Sequence, residues 1–425
     1  MALTIFLVSL FGIMALGVPI AFALLVSGIG IMAYLDMFDM QIIAQNLIKG
    51  ADSFAMLAVP FFILAGELMN AGGISKRIVS FAMSIFGHIR GGLGYVAIFA
   101  SILFAGLSGS AVADTAALGA ILIPMMVKAG YDRNRSTGLI AAGGIIAPII
   151  PPSIPLILFG VTSGVSITKL FMAGIIPGIL IGVGLVVTWW LVVRKGNFET
   201  QPRKSVKEMF QATRDAFWAL MLPVIIVGGL RGGIFTPTEA GVVAAFYALF
   251  VGLVIYRELK LEELYKVLVE SAKTTSVVMF LVAAAMVSAW MITIANIPMI
   301  LTETLEPLVA NPLILLIAIV GLVLLIGTSM DLTPVVLILT PILMPLVKAA
   351  GIDPVHFGIV FIFACCIGLL TPPVGTVLNV ASGVGGISLE NILRGIWPFL
   401  LVEVIVLILL VFFPGLVLIP LEWFT

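Results

Sequence analysis

Two short polar stretches interrupt long apolar runs, and their residue types are those that hold small ions and oxygen-rich ligands. The first is LSGSAVADT at 107–115, between FASILFAG and AALGAILIPMMV; the second is TSMDLT at 328–333, between LVLLIG and PVVLILTPILMPLV. Ser108, Gly109 and Ser110 supply hydroxyls and close backbone access, suited to a cation or to ligand oxygens. Thr328 is a further candidate cation ligand in the second stretch, where Asp331 adds a carboxylate between Met330 and Leu332. An ionisable side chain within lipid is costly, so it reads as functional by default: Asp331 can neutralise a cation or accept hydrogen bonds from ligand hydroxyls.

Each polar stretch precedes an apolar segment broken by prolines, GGIIAPIIPPSIPLILFG at 143–160 and CCIGLLTPPVGTVLNVAS at 365–382. Proline removes a backbone donor and collides with the preceding turn, so Pro148, Pro151 and Pro152 predict one break and Pro372 with Pro373 the other. A break frees carbonyls at one half-helix end, which are hard ligands for Na+, and N–H groups at the other, which attract a carboxylate. Ser153 follows the first break, and Thr376 and Asn379 follow the second, as candidate donors to an anionic ligand. A hydroxyl in a helix can equally bond back to its own turn. Asp114, near a helix start, reads as a dipole cap. Glu67 and Glu403 lie in apolar context, and Glu239 in FTPTEAG reads as a first-turn stabiliser, with Arg231 as a possible pair. His88 and His356 sit beside turns without partners for a metal site.

The elements that position these groups follow from composition. Of 425 residues, 62% are hydrophobic and 10% charged, and mean hydropathy is +1.28. Soluble domains carry about 25% charged residues, so the fold class is an all-α polytopic membrane protein. Lys+Arg 21 against Asp+Glu 21 removes any global electrostatic case for nucleic acid. The adjacent Cys365 and Cys366 read as small apolar packing groups. Apolar stretches long enough to cross a bilayer lie near 4–34, 54–72, 78–96, 133–163, 169–193, 217–256, 275–295, 356–384 and 396–419.

Sliding the chain against itself by 221 residues superimposes Gly106, Pro124, Gly130, Asp132, Pro151, Pro152 and Pro177 on Gly327, Pro345, Gly351, Asp353, Pro372, Pro373 and Pro398. Matched punctuation without insertion marks a duplicated unit. The first repeat is assigned to 1–195, with a re-entrant hairpin about 92–128 and a broken helix about 133–164; a basic linker fills 196–215; the second repeat is 216–425, with a hairpin about 309–349 and a broken helix about 355–385. Upstream, Met40, Ile43, Ala44 and Leu47 match Leu261, Leu264, Tyr265 and Leu268, stripes expected of helices lying along the interface. An odd number of crossings per repeat inverts the second copy, a transporter signature. The basic stretch Arg194, Lys195, Arg203, Lys204, Lys207 and Arg214 places the linker in the cytoplasm, and ten crossings then put both termini outside.

These motifs, together with FTPTEAGVVAAFYALFVG and GIDPVHFG, resemble the large membrane subunit of tripartite ATP-independent periplasmic (TRAP) transporters over nearly the whole chain. The resemblance implies elevator-type, ion-transporter-superfamily-like architecture and Na+-driven import of an organic acid: sialic acid, a C4-dicarboxylate or a keto sugar acid. It implies a periplasmic substrate-binding protein as donor and a small four-helix membrane subunit, here a separate chain, in a bacterial inner membrane. No cofactor is implied beyond Na+ as the coupling ion. It places Ser108, Ser110, Ser153 and Asp331 among the groups facing substrate and cation, and Gly143, Gly144, Pro148, Gly327, Thr371 and Pro373 near Na+ sites. Two other readings remain: a stand-alone Na+- or H+-coupled dicarboxylate symporter, and an intramembrane serine protease, since Gly106-Leu107-Ser108-Gly109 fits a GxSG pattern and His356 could serve as base.

Overall fold

Glycine and proline set the helix ends from the first residues onward. The computed structural model describes residues 1–194, 196, 198, 200 and 202–424, and among these every regular element is helical. Helices α1 (Ala2–Ala15) and α2 (Ile20–Tyr34) are parted by Gly17, in the left-handed region, and Pro19, and they pack side by side. The run 4–34 is therefore a helical pair, not the single crossing expected, and the parity count for the termini loses its first step. After α3 (Met40–Ala51) come a 3₁₀ turn (Phe54–Leu57), α4 (Ala58–Ala71) and α5 (Ile74–Phe86). A helical hairpin follows, α6 (Gly92–Ser108) and α7 (Ala111–Lys128), then α8 (Arg133–Gly144), α9 (Ile154–Ser163) and α10 (Ile167–Val193).

The second half opens with α11 (Val206–Arg231), whose first turn is closed by a capping box between Ser205 and Glu208. That capping box shortens the linker: residues 206–215, expected to be linker, are helix, while Lys195 lies outside the described residues. Next are α12 (Pro237–Phe250), continued by a π turn (Val251–Ile255), and α13 (Leu261–Ile294). Thr236 and Glu239 form a second capping box at α12, which gives Glu239 the first-turn role expected of it. The remainder is α14 (Ile297–Thr304), α15 (Glu306–Val309), the hairpin α16 (Pro312–Gly327) and α17 (Leu332–Ala349), then α18 (Pro354–Gly368), α19 (Thr376–Gly385), α20 (Leu389–Phe412) and α21 (Gly415–Phe424).

At the offset of 221, α3, α7 and α8 start on the same residue as α13, α17 and α18, and α6, α9 and α10 start within one residue of α16, α19 and α20. The repeats diverge at the upstream stripes. Repeat one breaks at Asp52-Ser53, where short polar side chains compete for backbone groups. Repeat two has Lys273-Thr274 there and continues as one helix of 34 residues. Only the first stripe is thus a separate helix. At 1.5 Å per residue α13 spans about 51 Å, more than the hydrocarbon thickness, so its charged first turns project beyond it.

Among the described residues, eight helices are long and apolar enough to cross a membrane. Phe246, Val277 and Leu325 are each at least 70% exposed on helix surfaces, an arrangement that suits lipid and not water. The chain is a multi-pass membrane protein. One group of helices, α2, α3, α4, α12 and α13, packs together, held by close approaches such as Gly50 on Ala283 and by the Ser288 hydroxyl donating to the Leu24 carbonyl at 2.6 Å. The hairpins and broken helices form a second group through contacts of α7 with α8 and α19, α9 with α17, and α16 with α18.

Candidate functional site

The breaks follow from proline's missing N–H. Pro148 cannot donate to Gly144, four residues back, and α8 ends at Gly144; Pro372 cannot donate to Gly368, and α18 ends at Gly368. Each orphaned carbonyl is taken by a tighter turn, from Ala147 N at 3.2 Å and from Thr371 N at 3.0 Å. Pro151-Pro152 and Pro372-Pro373 are both cis. The chain resumes as α9 and α19.

The tip of the first hairpin is two residues, Gly109 and Ser110. Gly109 has φ +61°, and a Cβ there would lie 2.6 Å from the Pro152 carbonyl, so glycine alone lets the tip seat against the first break. Ser110 caps α7 by accepting from Ala113 N at 3.3 Å. The Ser108 hydroxyl donates to the Asp114 carboxylate. The second tip is pinned to the second break by the Thr328 carbonyl, which accepts from Val374 N at 3.0 Å and Gly375 N at 3.3 Å. Asp331 stands at the N-cap position of α17, and its carboxylate accepts from the Thr376 hydroxyl at 3.4 Å.

Both tips open on one cavity of 410 Å³, whose lining includes Ser108, Gly109, Ser110, Pro148, Asp331 and Leu369. Three helices present their first residues to it: α7 through Ala111, α9 through Ile154 and α17 through Leu332. Helix N-termini carry unpaired N–H groups and partial positive charge, so the cavity offers three anion-seeking ends. The far wall is Glu67 and Asn70 of α4 with Thr274 of α13. Among the described residues two carboxylates face the space, Glu67 and Asp331, and no Lys, Arg or His lines it.

Behind the first tip, Ser101 Oγ, Thr115 Oγ1 and Asp114 Oδ2 are buried without a hydrogen-bond partner. They lie against the end of α8: a Cβ on Gly143 would meet Ser101 Oγ at 2.5 Å, and one on Gly144 would meet Thr115 Oγ1 at 2.0 Å. Unpartnered oxygens beside close backbone are groups of the kind that ligate a hard cation.

Several expected ligands sit elsewhere. Ser153 is fully buried behind the tip, donating to the Pro148 carbonyl at 2.5 Å and accepting from Leu156 N at 3.2 Å; it caps α9 and does not line the cavity. Asn379 donates to the Val374 carbonyl at 2.8 Å, and the Thr371 hydroxyl to the Ile367 carbonyl at 2.9 Å. The Thr328 hydroxyl bonds to Leu325 at 2.7 Å, leaving its backbone as the contribution to the second break. Gly327 packs on Gly368, and Pro373 lies in the break between α18 and α19. Of the far-wall residues, Glu67 stands out in the sequence as a carboxylate in apolar context, without an assigned role. Asn70 and Thr274 carried no motif, their only trace being the i, i+3 spacing from Glu67 on the otherwise apolar α4 and the Lys273-Thr274 boundary on α13. The protease geometry is not formed, since Ser108 bonds to Asp114 while His356 Nε2 bonds to the Leu410 carbonyl at 2.8 Å.

The sequence matches the family described as tripartite ATP-independent periplasmic transporter, DctM component, over residues 7–416. It is 58% identical over 423 residues, covering 100% of each chain to the nearest per cent, to the 2,3-diketo-L-gulonate TRAP transporter large permease protein YiaN of Escherichia coli (strain K12). It is 42% identical to the sialic acid TRAP transporter large permease protein SiaM of Vibrio cholerae, covering 95% of this chain and 94% of that one. The crystal structure of the Alcanivorax borkumensis YdaH transporter aligns with a TM-score of 0.63 over 88% of this chain and 87% of that one, at 16% identity, a likeness of fold alone.

Proposed function

The chain belongs to the DctM component family of TRAP transporters and is a large permease, not an enzyme; from that premise we propose that it imports a small organic acid by coupling to Na+. A keto sugar acid stands first among the substrate classes, because the relative named for 2,3-diketo-L-gulonate is 58% identical over its whole length. Sialic acid and C4-dicarboxylates, named for relatives of lower identity, come after it.

The observation that carries the proposal is the charge balance of the cavity: it gathers both tips, the first break and three helix N-termini, yet faces an incoming anion with Glu67 and Asp331 and no basic side chain. An organic anion enters such a space favourably only when cations accompany it. Backbone carbonyls at the breaks, through their second lone pairs, and the orphaned oxygens around Asp114 supply hard ligands for Na+. Na+ bound there completes the positive field that the helix ends begin. Each ligand then raises affinity for the other, which is the thermodynamic content of coupling. The hairpins and broken helices, packed on one another, move as one body against the wall formed by α4 and α13, in an elevator motion that carries the cavity across. The positive-inside rule places residues 203–215 in the cytoplasm. A substrate-binding protein delivers the acid and a small permease completes the membrane assembly.

The test is uptake of a radiolabelled keto sugar acid by proteoliposomes holding this chain with its cognate small permease and binding protein. A Na+ gradient should drive accumulation, and Asp331→Ala should abolish it while leaving insertion and unfolding temperature intact. Uptake indifferent to Na+, or unaffected by Asp331→Ala, overturns the coupling scheme. Uptake by the chain alone would instead identify a stand-alone symporter.

A further inference from the structure

Two more spaces follow the tip cavity through shared lining residues. A groove of 480 Å³ shares Glu67, Asn70 and Ala113 with it and runs between the α4–α5 corner and α7, past Ser75 and Lys76. Lys76 in turn lines a basin of 780 Å³ that includes Arg77, Lys204 and Arg214, on the face carrying the linker. Shared lining residues thus set the three spaces in order from the site toward the linker face.

The two walls of the groove differ in kind. One is polar and built on the tight turn at Gly72-Gly73: Glu67, Asn70, Ser75 and Lys76, with the Ser75 hydroxyl donating to Asn70 Oδ1 at 2.7 Å. The other is one face of α7, Ala113, Ala116, Ala117 and Ile121, at helical spacing. Methyl side chains leave the passage open where leucine would close it. At its mouth Arg77 is engaged, bonded to Glu258 at 2.6 Å and stacked 3.7 Å over the Tyr256 ring. Lys76 is exposed and makes no ion pair among the described residues. It is the first basic side chain met on leaving a cavity that holds two carboxylates and no base.

We propose that the groove between α7 and the α4–α5 corner is the release path of the transported organic anion, with Lys76 the cation that draws it from the tip cavity toward the linker face. The proposal rests on the transporter reading above. It explains why polar groups continue along one wall beyond the site, and it assigns α7's alanine face a purpose beyond packing. A lone cation at a narrow mouth raises the local concentration of anions and lowers that of cations.

The experiment uses the full chain with Ala117→Cys; the native thiols, Cys365 and Cys366, are buried and silent. Rates of modification by sulfonatoethyl and trimethylammonioethyl methanethiosulfonate are compared with and without Lys76→Gln, a surface change that does not disturb folding. The anionic reagent should be favoured, and Lys76→Gln should reduce the anion-to-cation rate ratio by about fivefold. In sealed proteoliposomes the thiol should be reached from the same face as one placed by Lys207→Cys. Modification with the bulky reagent should stop uptake, whereas methyl methanethiosulfonate should not. A ratio insensitive to Lys76→Gln, access from the opposite face, or full uptake after bulky modification overturns the path. Failure of the unmodified assembly to transport any organic acid would overturn the transporter reading instead, and the labelling ratios separate the two.

Discussion

Gly368→Ala tests whether the second break is held in place by backbone contact. A Cβ on Gly368 would lie 2.7 Å from Gly327 Cα and 2.8 Å from Gly327 C, against about 3.5–4.0 Å for a relaxed carbon pair. Both partners are backbone, so α16 and α18 must separate by about 1 Å, an overpacking cost of about 1–3 kcal/mol. The same separation strains the Thr328 carbonyl's bonds to Val374 N and Gly375 N, at 3.0 and 3.3 Å, taking at least the longer beyond hydrogen-bonding range. Carbonyl ligands tolerate displacements of about 0.2 Å, so a cation held at this break should lose the same order of free energy, about 5- to 150-fold in affinity. Two readouts apply: the Na+ concentration for half-maximal uptake, and the rise in unfolding temperature when Na+ replaces K+. Gly321→Ala, on α16 with the contact partner Gly327 but with nothing within 4 Å, is the control and should leave both unchanged. Wild-type Na+ dependence and melting in Gly368→Ala would refute the claim that the α16–α18 contact sets the ion site.

Two further substitutions probe the packing that supports the site. Glu403 is fully buried on α20 with both carboxylate oxygens unpartnered, and an isolated charge there would cost several kcal/mol, so Glu403→Gln should keep or raise the unfolding temperature and preserve uptake; loss of uptake with an intact fold would instead give Glu403 a part in transport. Gly94→Ala would set a methyl 1.9 Å from the Trp189 ring, which cannot retreat because it stacks on Tyr131 and Phe399 and donates to the Gly91 carbonyl at 2.8 Å. About 1–3 kcal/mol of destabilisation should appear in thermal unfolding, and Trp189→Phe in the same chain should recover part of it.

What was legible in the sequence was whatever proline and glycine enforce through the chain's own neighbours. The breaks follow from a donor missing four residues on, and the hairpin tip from a glycine that must take positive φ. The duplication was legible because both copies retain that punctuation. The far wall of the cavity was not legible, because Glu67, Asn70 and Thr274 reach it through the packing of helices distant in sequence, and no local rule states which face of α4 meets the tips. The place of Ser153 was open for a related reason: a serine after a break serves a ligand or its own helix end according to which side of the chain the neighbouring hairpin covers, and here it caps α9. The split of 4–34 was written in Gly17-Val18-Pro19 and was outweighed by the length of the apolar run around it.

The repeats also differ where the duplication would suggest equivalence, and the difference predicts its own outcome. Pro148 of the first repeat corresponds to Leu369 of the second, so α18 continues three residues past the equivalent of α8's end before Pro372 stops it. Leu369 N donates to the Cys365 and Cys366 carbonyls at 3.2 and 3.1 Å, and the residue is 2% exposed yet lines the cavity. Leu369→Pro would give the second repeat the first repeat's residue, but it would remove those bonds and drive the ring into the turn at Cys365, at about 3 kcal/mol. Copying the sibling motif should therefore destabilise the fold and abolish uptake, whereas Leu369→Met, which keeps the N–H and the volume, should change melting by little. If Leu369→Pro melted and transported as the parent does, the extra turn of α18 would have no structural purpose, and the argument that backbone donors fix each break would fail with it.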